Sequence, residues 1–150
     1  MKLRIASILG AGVFVLLACR KAAPSSVAEV SKEPEVAVGG VTVRDIQLGN
    51  ALGDDRNVAM PVTTFDAQDT IYVAITTGAA SDSTPLVARW LFDREGAAEL
   101  IDSTAQTLLP GGPSTTEFHI SNSGGWPAGN YRVEVFAKDK PVATRDFEIR

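Results

Sequence analysis

Between residues 41 and 149 the sequence is a succession of short apolar runs separated by clusters of Gly, Pro, Asn and Asp. The most regular run follows a turn-forming stretch at residues 124–129, and in it Tyr131, Val133 and Val135 alternate with Arg, Glu and Phe. A period of two places one set of side chains in a core and the other on a surface. Because no part of this region sustains helical spacing, the sequence predicts an all-β fold.

Further runs of the same kind predict strands on both sides of this one. Turn signals separate them about every ten residues, which is typical of a β-sandwich of about seven strands. The stretch 58–65 contains Pro61 and is predicted to be an edge or irregular segment, and Ala97–Leu109 is predicted to form one or two strands. The clearer runs are Val41–Gly49, Thr70–Thr77, Leu86–Phe92, Glu117–Ser121 and Val142–Ile149.

The last predicted strand contains a conflict of parity. If Val142 and Thr144 face the core, then Phe147 and Ile149 point outward, unless the strand contains one extra residue. A β-bulge supplies such a residue, and bulges are common at sheet edges. We therefore predict a bulge near residues 145–146.

Two aromatic residues indicate which type of β-sandwich the sequence forms. Trp90 lies in the middle of an early, central strand, and Tyr131 begins the penultimate strand directly after Pro-Ala-Gly-Asn. These positions resemble those of the core tryptophan and the tyrosine corner in immunoglobulin-like and fibronectin type III-like domains. The resemblance covers residues 41–150 and implies a single immunoglobulin-like β-sandwich. Val133 stands where antibody domains carry their second disulfide cysteine, so apolar packing must stabilise this domain without that bridge.

The same resemblance gives Tyr131 a structural role. A buried phenol needs a hydrogen-bond partner, and the backbone of residues 127–130 lies within reach. We therefore expect a hydrogen bond from the Tyr131 hydroxyl to this corner. The alternative is a partly exposed aromatic residue on a strand.

The first nineteen residues read MKLRIASILGAGVFVLLAC, with a basic start, an uncharged run over Ile5–Ala18 and a cysteine. This run is shorter than the ~20 residues that cross a hydrocarbon core as a helix, which favours a cleaved export signal. Its end, Leu16–Cys19, resembles the bacterial lipobox, and the resemblance implies cleavage before Cys19 and covalent lipid on this residue. The following Arg20 resembles the outer-membrane address of Gram-negative lipoproteins. An ordinary secretory signal with an incidental cysteine is the alternative.

These features predict a signal peptide at residues 1–18, a lipidated N-terminus with a flexible linker at 19–40, and the sandwich at 41–150. The linker is rich in Ala, Pro, Ser, Val and Glu and has no sustained apolar face to offset its ordering entropy. We expect the protein to be anchored in the outer membrane through its lipid, with the domain facing the periplasm.

Charge and residue content exclude several classes of function. The formal net charge is −4, and it becomes −6 once the two cations Lys2 and Arg4 leave with the signal peptide. An acidic chain without clustered Lys and Arg does not suit nucleic acid. The sequence holds one cysteine and one histidine, and His119 is predicted to lie outward on its strand. We therefore predict no catalytic residues, no metal site and no cofactor apart from the lipid on Cys19.

Outward-facing apolar residues are the remaining candidates for a binding site. Phe136 points away from the core on the Tyr131 strand, and Val87 and Leu91 do so on the Trp90 strand. Together they predict an apolar patch for an envelope protein partner. The alternative is that the linker, a loop or the Ala97–Leu109 stretch covers them.

Two other regions could bind instead. Trp126 is a further candidate contact residue, although its position favours a role in closing one end of the sandwich. A small periplasmic inhibitor or ligand-binding domain would act through its loops, at Thr77–Pro85 and Leu109–Thr115. The sequence leaves these hypotheses open.

Overall fold

A computed structural model describes residues 36–38 and 40–150, and this part of the chain is an all-β, immunoglobulin-like sandwich. Its described residues form nine strands and no helix, and seven of the strands contain seven residues or more. The strands are β1 Val36–Val38, β2 Val41–Gly49, β3 Thr64–Phe65, β4 Ile71–Thr77, β5 Thr84–Arg94, β6 Ala97–Leu108, β7 Ser114–Ile120, β8 Gly129–Ala137 and β9 Lys140–Ile149.

Two sheets pack face to face. The smaller sheet has the order β1-β2-β4-β7 and the larger one the order β3-β9-β8-β5-β6, and every pair is antiparallel except β3 with β9. The residues of β4 that alternate at a period of two, Ile71, Val73 and Ile75, are all fully buried between the sheets. The alternation read from the sequence is therefore confirmed.

Trp90 lies on β5, an interior strand of the larger sheet. Strand β5 pairs with β8 on one side and with β6 on the other, and Trp90 is fully buried opposite Val133. Its ring packs edge-on against Phe147, with 6.1 Å between centroids. The predicted core tryptophan is confirmed. Val133, at the position where antibody domains carry a disulfide cysteine, is a fully buried apolar residue.

The last strand contains the predicted bulge, but at another residue. The pairing of β9 with β8 shifts by one residue at Val142. Val142 is therefore the extra residue, and the prediction of a bulge near 145–146 is wrong in position. Val142 is buried, and Phe147 and Ile149 still face the core. A bulge close to the hairpin leaves the rest of the β8–β9 ladder in one register. The pairs on either side of the bulge are Val135 with Ala143 and Phe136 with Pro141.

The shifted bulge overturns one expected orientation. Thr144 pairs with Glu134 and is exposed, so the expectation that it faces the core is wrong. Arg145 lies opposite the buried Val133 and is half-buried. On β9, Arg145 and not Thr144 therefore lies on the face of the sheet that is directed toward the core.

The described fold begins before Val41. Strand β1 lies within the predicted linker 19–40 and pairs with the start of β2. Gly40, with φ of 84°, adopts the left-handed conformation that this tight connection requires. The predicted signal peptide 1–18 and linker residues 19–35 lie outside the described residues. No helix in the described part of the chain is long and apolar enough to span a membrane.

Candidate functional site

The three outward apolar residues predicted from the sequence lie together on the outer face of the larger sheet. Val87 on β5 pairs directly with Phe136 on β8, and Leu91 lies on the same face of β5. All three side chains are half-buried. The structure therefore brings them onto one surface, which their spacing along two separate strands only suggested.

Strand β6 extends this surface. Its pairing with β5 shifts by one residue between Trp90 and Leu91, and the extra residue is Ile101. As a result Leu100, which is 56% exposed, lies directly opposite Leu91. Without the bulge, Leu91 would face Ile101 instead.

The Ala97–Leu109 stretch therefore does not cover the apolar patch. It forms the single strand β6 beside β5, and Ala105 lies opposite Val87. Linker residues 19–35, which could also cover the patch, lie outside the described residues. We refer to this apolar surface as the outer strip, which consists of Val87, Leu91, Leu100, Ala105 and Phe136.

Charged residues lie both within and beside the outer strip, since Arg89 lies between Val87 and Leu91 on β5 and pairs with Glu134 on β8. The Arg89 guanidinium lies 4.4 Å from the centroid of the Phe136 ring, a cation–π contact. Arg132 Nε donates to Asp146 Oδ1 at 2.7 Å, and this hydrogen bond raises the pKa of Arg132. Exposed pairs of this kind contribute little to stability. The Arg132–Asp146 pair lies beside Leu91, and a charged pair beside apolar residues is typical of the rim of a protein interface.

An open groove of about 630 Å³ lies at one end of the outer strip. Its lining combines Leu91 and Ala98 with the carboxylates of Asp93, Asp146 and Glu148. In the described residues no group of three or more His, Cys, Asp or Glu side chains could hold a metal ion. Arg132 also lines the groove and pairs there with Asp146, while Arg150 pairs with Glu148, so two of the three carboxylates already have a cationic partner.

Trp126 lies elsewhere, at one end of the sandwich. Its indole Nε1 donates to the Asp69 carbonyl at 3.0 Å, and its ring packs edge-on against Tyr131, with 6.3 Å between centroids. The side chain packs against the core and does not reach the outer strip. Its position corresponds to the residue that closes the sandwich, the alternative considered for it from the sequence.

Tyr131 forms the corner predicted for it. Its hydroxyl donates to the Pro127 carbonyl at 2.7 Å, and its ring stacks on Phe147 with centroids 5.4 Å apart. Burial raises the pKa of the Tyr131 phenol above its ordinary value. The corner thus joins the loop before β8 to the core, and the alternative of an exposed strand aromatic is wrong.

Replacing Tyr131 by Phe is expected to lower the free energy of unfolding by about 1 kcal/mol, because the Pro127 carbonyl loses its partner. Urea denaturation measures this change. The matched control is Tyr72→Phe, which should have almost no effect because no hydrogen bond of that hydroxyl is found within the described residues. Since the folded-state pKa of Tyr131 is raised, the wild type should also lose stability above pH ~10, and Tyr131→Phe should lose less. Equal unfolding curves for the wild type and Tyr131→Phe would contradict the corner.

His119 is exposed, as predicted. Its Nδ1 lies 3.3 Å from the Glu117 carboxylate, and its ring is tilted against Tyr72. These contacts lie on the outer face of the smaller sheet, away from the outer strip. Cys19 lies outside the described residues, so its predicted lipidation rests on the sequence.

The two loops of the alternative hypothesis meet at the end of the sandwich where the chain enters it. Ala80 and Gly111 exchange two backbone hydrogen bonds of 2.9 and 3.0 Å, and Gly78 N–H donates to the carbonyl of Thr42 near the start of β2. Leu109, at the edge of this loop pair, is 70% exposed. The loops therefore form one surface, which the sequence did not indicate.

Leu100 and Ala105 are the residues of the outer strip that sequence reasoning missed. Their stretch was recognised as β-like, but its alternation is weak because β6 is exposed on both faces for most of its length. The bulge at Ile101 then reverses the face that a simple alternation would assign to Leu100. The sequence carries no clear local signal for that bulge.

No family model and no curated protein matches the sequence. Solved structures do resemble the fold. An immunoglobulin-like protein from Pseudomonas aeruginosa is 20% identical over 73% of this chain and 96% of its own, with a TM-score of 0.54. The alkylpurine DNA glycosylase of Pseudomonas fluorescens, bound to DNA with an abasic site analogue, is 15% identical over 74% of this chain, with a TM-score of 0.49. This chain spans only 30% of the glycosylase. The similarity to the immunoglobulin-like protein identifies the fold and nothing beyond it.

Proposed function

We propose that this protein is a lipid-anchored, non-catalytic accessory protein of the cell envelope, whose immunoglobulin-like domain binds another envelope protein through the outer strip. The observation that carries the proposal is the position of five apolar residues on one outer face of the larger sheet. An antiparallel sheet with one buried face is ordinarily polar on the other. The five residues lie in two rows, Val87 with Ala105 and Phe136, and Leu91 with Leu100, and the Arg89–Glu134 pair lies between the rows. A surface that combines exposed apolar residues with a few charges fits a partner surface better than bulk solvent.

The anchor part of the proposal rests on Cys19 and the lipobox resemblance. Each buried methylene contributes ~0.8 kcal/mol to membrane binding, so two or more acyl chains give stable anchoring. A lipid of this kind would place the domain at the membrane surface, with the linker allowing it to reach a partner. By resemblance to lipoproteins with Arg after the cysteine, the membrane is the outer one and the domain faces the periplasm.

The absence of catalysis is also part of the proposal. The groove beside Leu91 contains carboxylates, but Arg132 pairs with Asp146 and the Arg150 guanidinium bonds Glu148. These contacts hold the acids as ion pairs at the surface. In the described residues they provide no nucleophile with an adjacent base.

Crosslinking in intact cells tests the proposal. A photoreactive residue at Ala105 should capture an envelope protein, and the double variant Leu91→Ser/Phe136→Ser should reduce this capture about tenfold or more, because it removes apolar area from the interface. The control variant Tyr72→Ser/His119→Ser changes the outer face of the other sheet and should retain capture. Undiminished capture by the folded Leu91→Ser/Phe136→Ser variant would exclude the outer strip as the binding surface.

The same cells test the anchor separately through Cys19→Ser. This variant should move from the membrane fraction to the soluble fraction, because the attachment atom for the lipid is lost. If Cys19→Ser stays with the membrane to the same extent as the wild type, lipidation at this residue is wrong. That result would leave the outer strip as a separate question.

Ligand binding through the loops is the second candidate function. It is favoured by the paired backbone of Ala80 and Gly111, which joins both loops into one surface beside the exposed Leu109. A photoreactive residue at position 109 distinguishes the candidates. Capture there, with none at Ala105, would favour the loops.

A further inference from the structure

Two bulges lie on strands that, within the described residues, have an edge without a neighbouring strand for part of their length. Strand β6 is the outermost strand of the larger sheet. In the described part of the chain, β2 has no neighbouring strand beyond Val43 on the side of β1. Free N–H and C=O groups on an edge strand can pair with a strand of another molecule, which leads to association or aggregation.

The same local arrangement occurs at both edges. In each strand an extra residue, Arg44 in β2 and Ile101 in β6, is followed directly by an aspartate. The aspartate carboxylate accepts the N–H of the residue after it, so that donor is occupied by a side chain. The two hydrogen bonds are Ile46 N–H to Asp45 Oδ1 at 2.8 Å and Ser103 N–H to Asp102 Oδ1 at 2.7 Å.

Strand β6 has an apolar surface that a second strand could bury. Leu100 and the bulged residue Ile101 are 56% and 37% exposed. Ten of the twelve residues of β6 are exposed, so both of its faces are open for most of its length. A regular edge of this length with exposed apolar residues would be a site of association.

Other contacts close the rest of this edge. Gln106 Nε2 donates to the Glu117 carbonyl at 2.5 Å, which joins the far end of β6 to β7. Glu99 and Asp102 are the charged residues of β6, and both are acidic. An antiparallel second copy centred on Leu100 and Ile101 would place Glu99 opposite Asp102, and like charges in opposite positions destabilise a strand pair.

We propose that Asp102, placed by a bulge, closes the free edge of β6 against pairing with a second copy of this chain, and that Asp45 provides the same arrangement on β2. The aspartate occupies the backbone donor beside the bulge, and the bulge interrupts the regular spacing that a second strand needs. The device concerns the backbone donors of the edge strands, whereas the proposed function concerns the apolar side chains of the outer strip, although Leu100 belongs to both. It therefore goes beyond the proposed function, and either can fail alone.

The test removes both parts of the device from β6. Deleting Ile101 leaves Leu100 opposite Leu91 and Asp102 opposite Trp90, so the remaining β5–β6 pairs stay regular. Asp102→Ala in the same chain frees the N–H of Ser103. In the full chain carrying Cys19→Ser, sedimentation velocity should show that this variant dimerises about tenfold more tightly than a chain that keeps Ile101 and Asp102.

Asp102→Asn is the matched control. The asparagine side chain retains an oxygen that can accept the Ser103 N–H, so with Ile101 deleted the Asp102→Asn variant should dimerise less tightly than the Asp102→Ala variant.

Amide hydrogen exchange provides a second measurement that does not need the deletion. In the monomer with Ile101 present, Asp102→Ala should speed exchange of the Ser103 amide about tenfold, and Asp102→Asn should change it much less. Asp45→Ala should do the same to the Ile46 amide.

Three results would overturn the proposal. The chain with Ile101 and Asp102 intact could itself dimerise with a protected Ser103 amide. The folded variant without Ile101 and with Asp102→Ala could stay monomeric at the highest concentration tested. The Ser103 amide could exchange at the same rate in Asp102→Ala as in the parent chain, which would show that the carboxylate does not hold it.

Discussion

Replacing Trp90 by Ala is expected to lower the free energy of unfolding by about 3–5 kcal/mol, the cost of removing a fully buried large aromatic side chain. The indole lies between Val133 on the neighbouring strand and the ring of Phe147, and the sheet around it cannot collapse far into the space. Guanidinium denaturation measures the change as a lower midpoint. The domain has no disulfide to offset such a loss, because the one cysteine of the chain, Cys19, lies outside residues 41–150.

The variant Trp90→Phe separates the contribution of apolar packing from the cost of burying the indole N–H. The indole N–H of Trp90 is buried and has no hydrogen-bond partner within the described residues. Leaving a buried donor unsatisfied costs about 1–3 kcal/mol, and phenylalanine removes that donor while it keeps much of the apolar volume. We therefore expect Trp90→Phe to cost less than half as much as Trp90→Ala. Equal losses for both variants would show that the unpaired N–H does not destabilise the native state.

Replacing Gly129 by Ala is expected to cost about 2–3 kcal/mol for two reasons. Gly129 has φ of 149°, a region in which residues with a side chain are strained. An added Cβ would also lie 2.9 Å from Cε2 of Phe92, which packs against the Tyr131 ring. Both effects act at the start of β8, where the corner loop joins the core. Thermal unfolding should show a clear fall in Tm.

Gly124→Ala is the control for this prediction. Gly124 lies in the same loop, and the nearest atom to its added Cβ would be Asn122 Oδ1 at 3.5 Å, an ordinary contact. Gly124 does not adopt the left-handed conformation. Its replacement should change the stability by a few tenths of a kcal/mol at most. If both variants lowered Tm equally, the strain at Gly129 would not be the cause.

Much of the fold could be predicted because it depends on local patterns. The first long strand has the predicted bounds, Val41–Gly49, and Phe118 and Ile120 face the core as their alternation indicates. The turns between β5 and β6 and between β8 and β9 were also recognisable. They centre on residues with positive φ, Glu95–Gly96 and Lys138–Asp139. Two-residue turns with positive φ match the twist of the strands that they connect. Each of these features is set within a few neighbouring residues.

The bulges were harder to place because they depend on two strands at once. The sequence showed that β9 needs an extra residue, but the pairing with β8 places it at Val142. Nothing in the sequence of β6 required a bulge, since few of its side chains are buried and alternation carries little information there. Pairing with β5 decides that Ile101 is the extra residue.

The candidate site divides in the same way. Phe136, Val87 and Leu91 could be found from the sequence, because each alternates with buried neighbours on a well-patterned strand. Leu100 could not, because its place beside Leu91 depends on the bulge. The proposed role of Asp102, whose carboxylate accepts the Ser103 N–H at the edge of β6, likewise depends on the position of that bulge.

By itself, the sequence determined the fold class, the buried Trp90 and the Tyr131 corner. These follow from local periodicity, turn chemistry and short motifs, which act over a few residues. Tertiary structure decided which strands are neighbours, where each bulge lies and which apolar side chains share an outer face. Those properties depend on register between strands far apart in the chain, and a shift of one residue moves a side chain to the opposite face of the sheet.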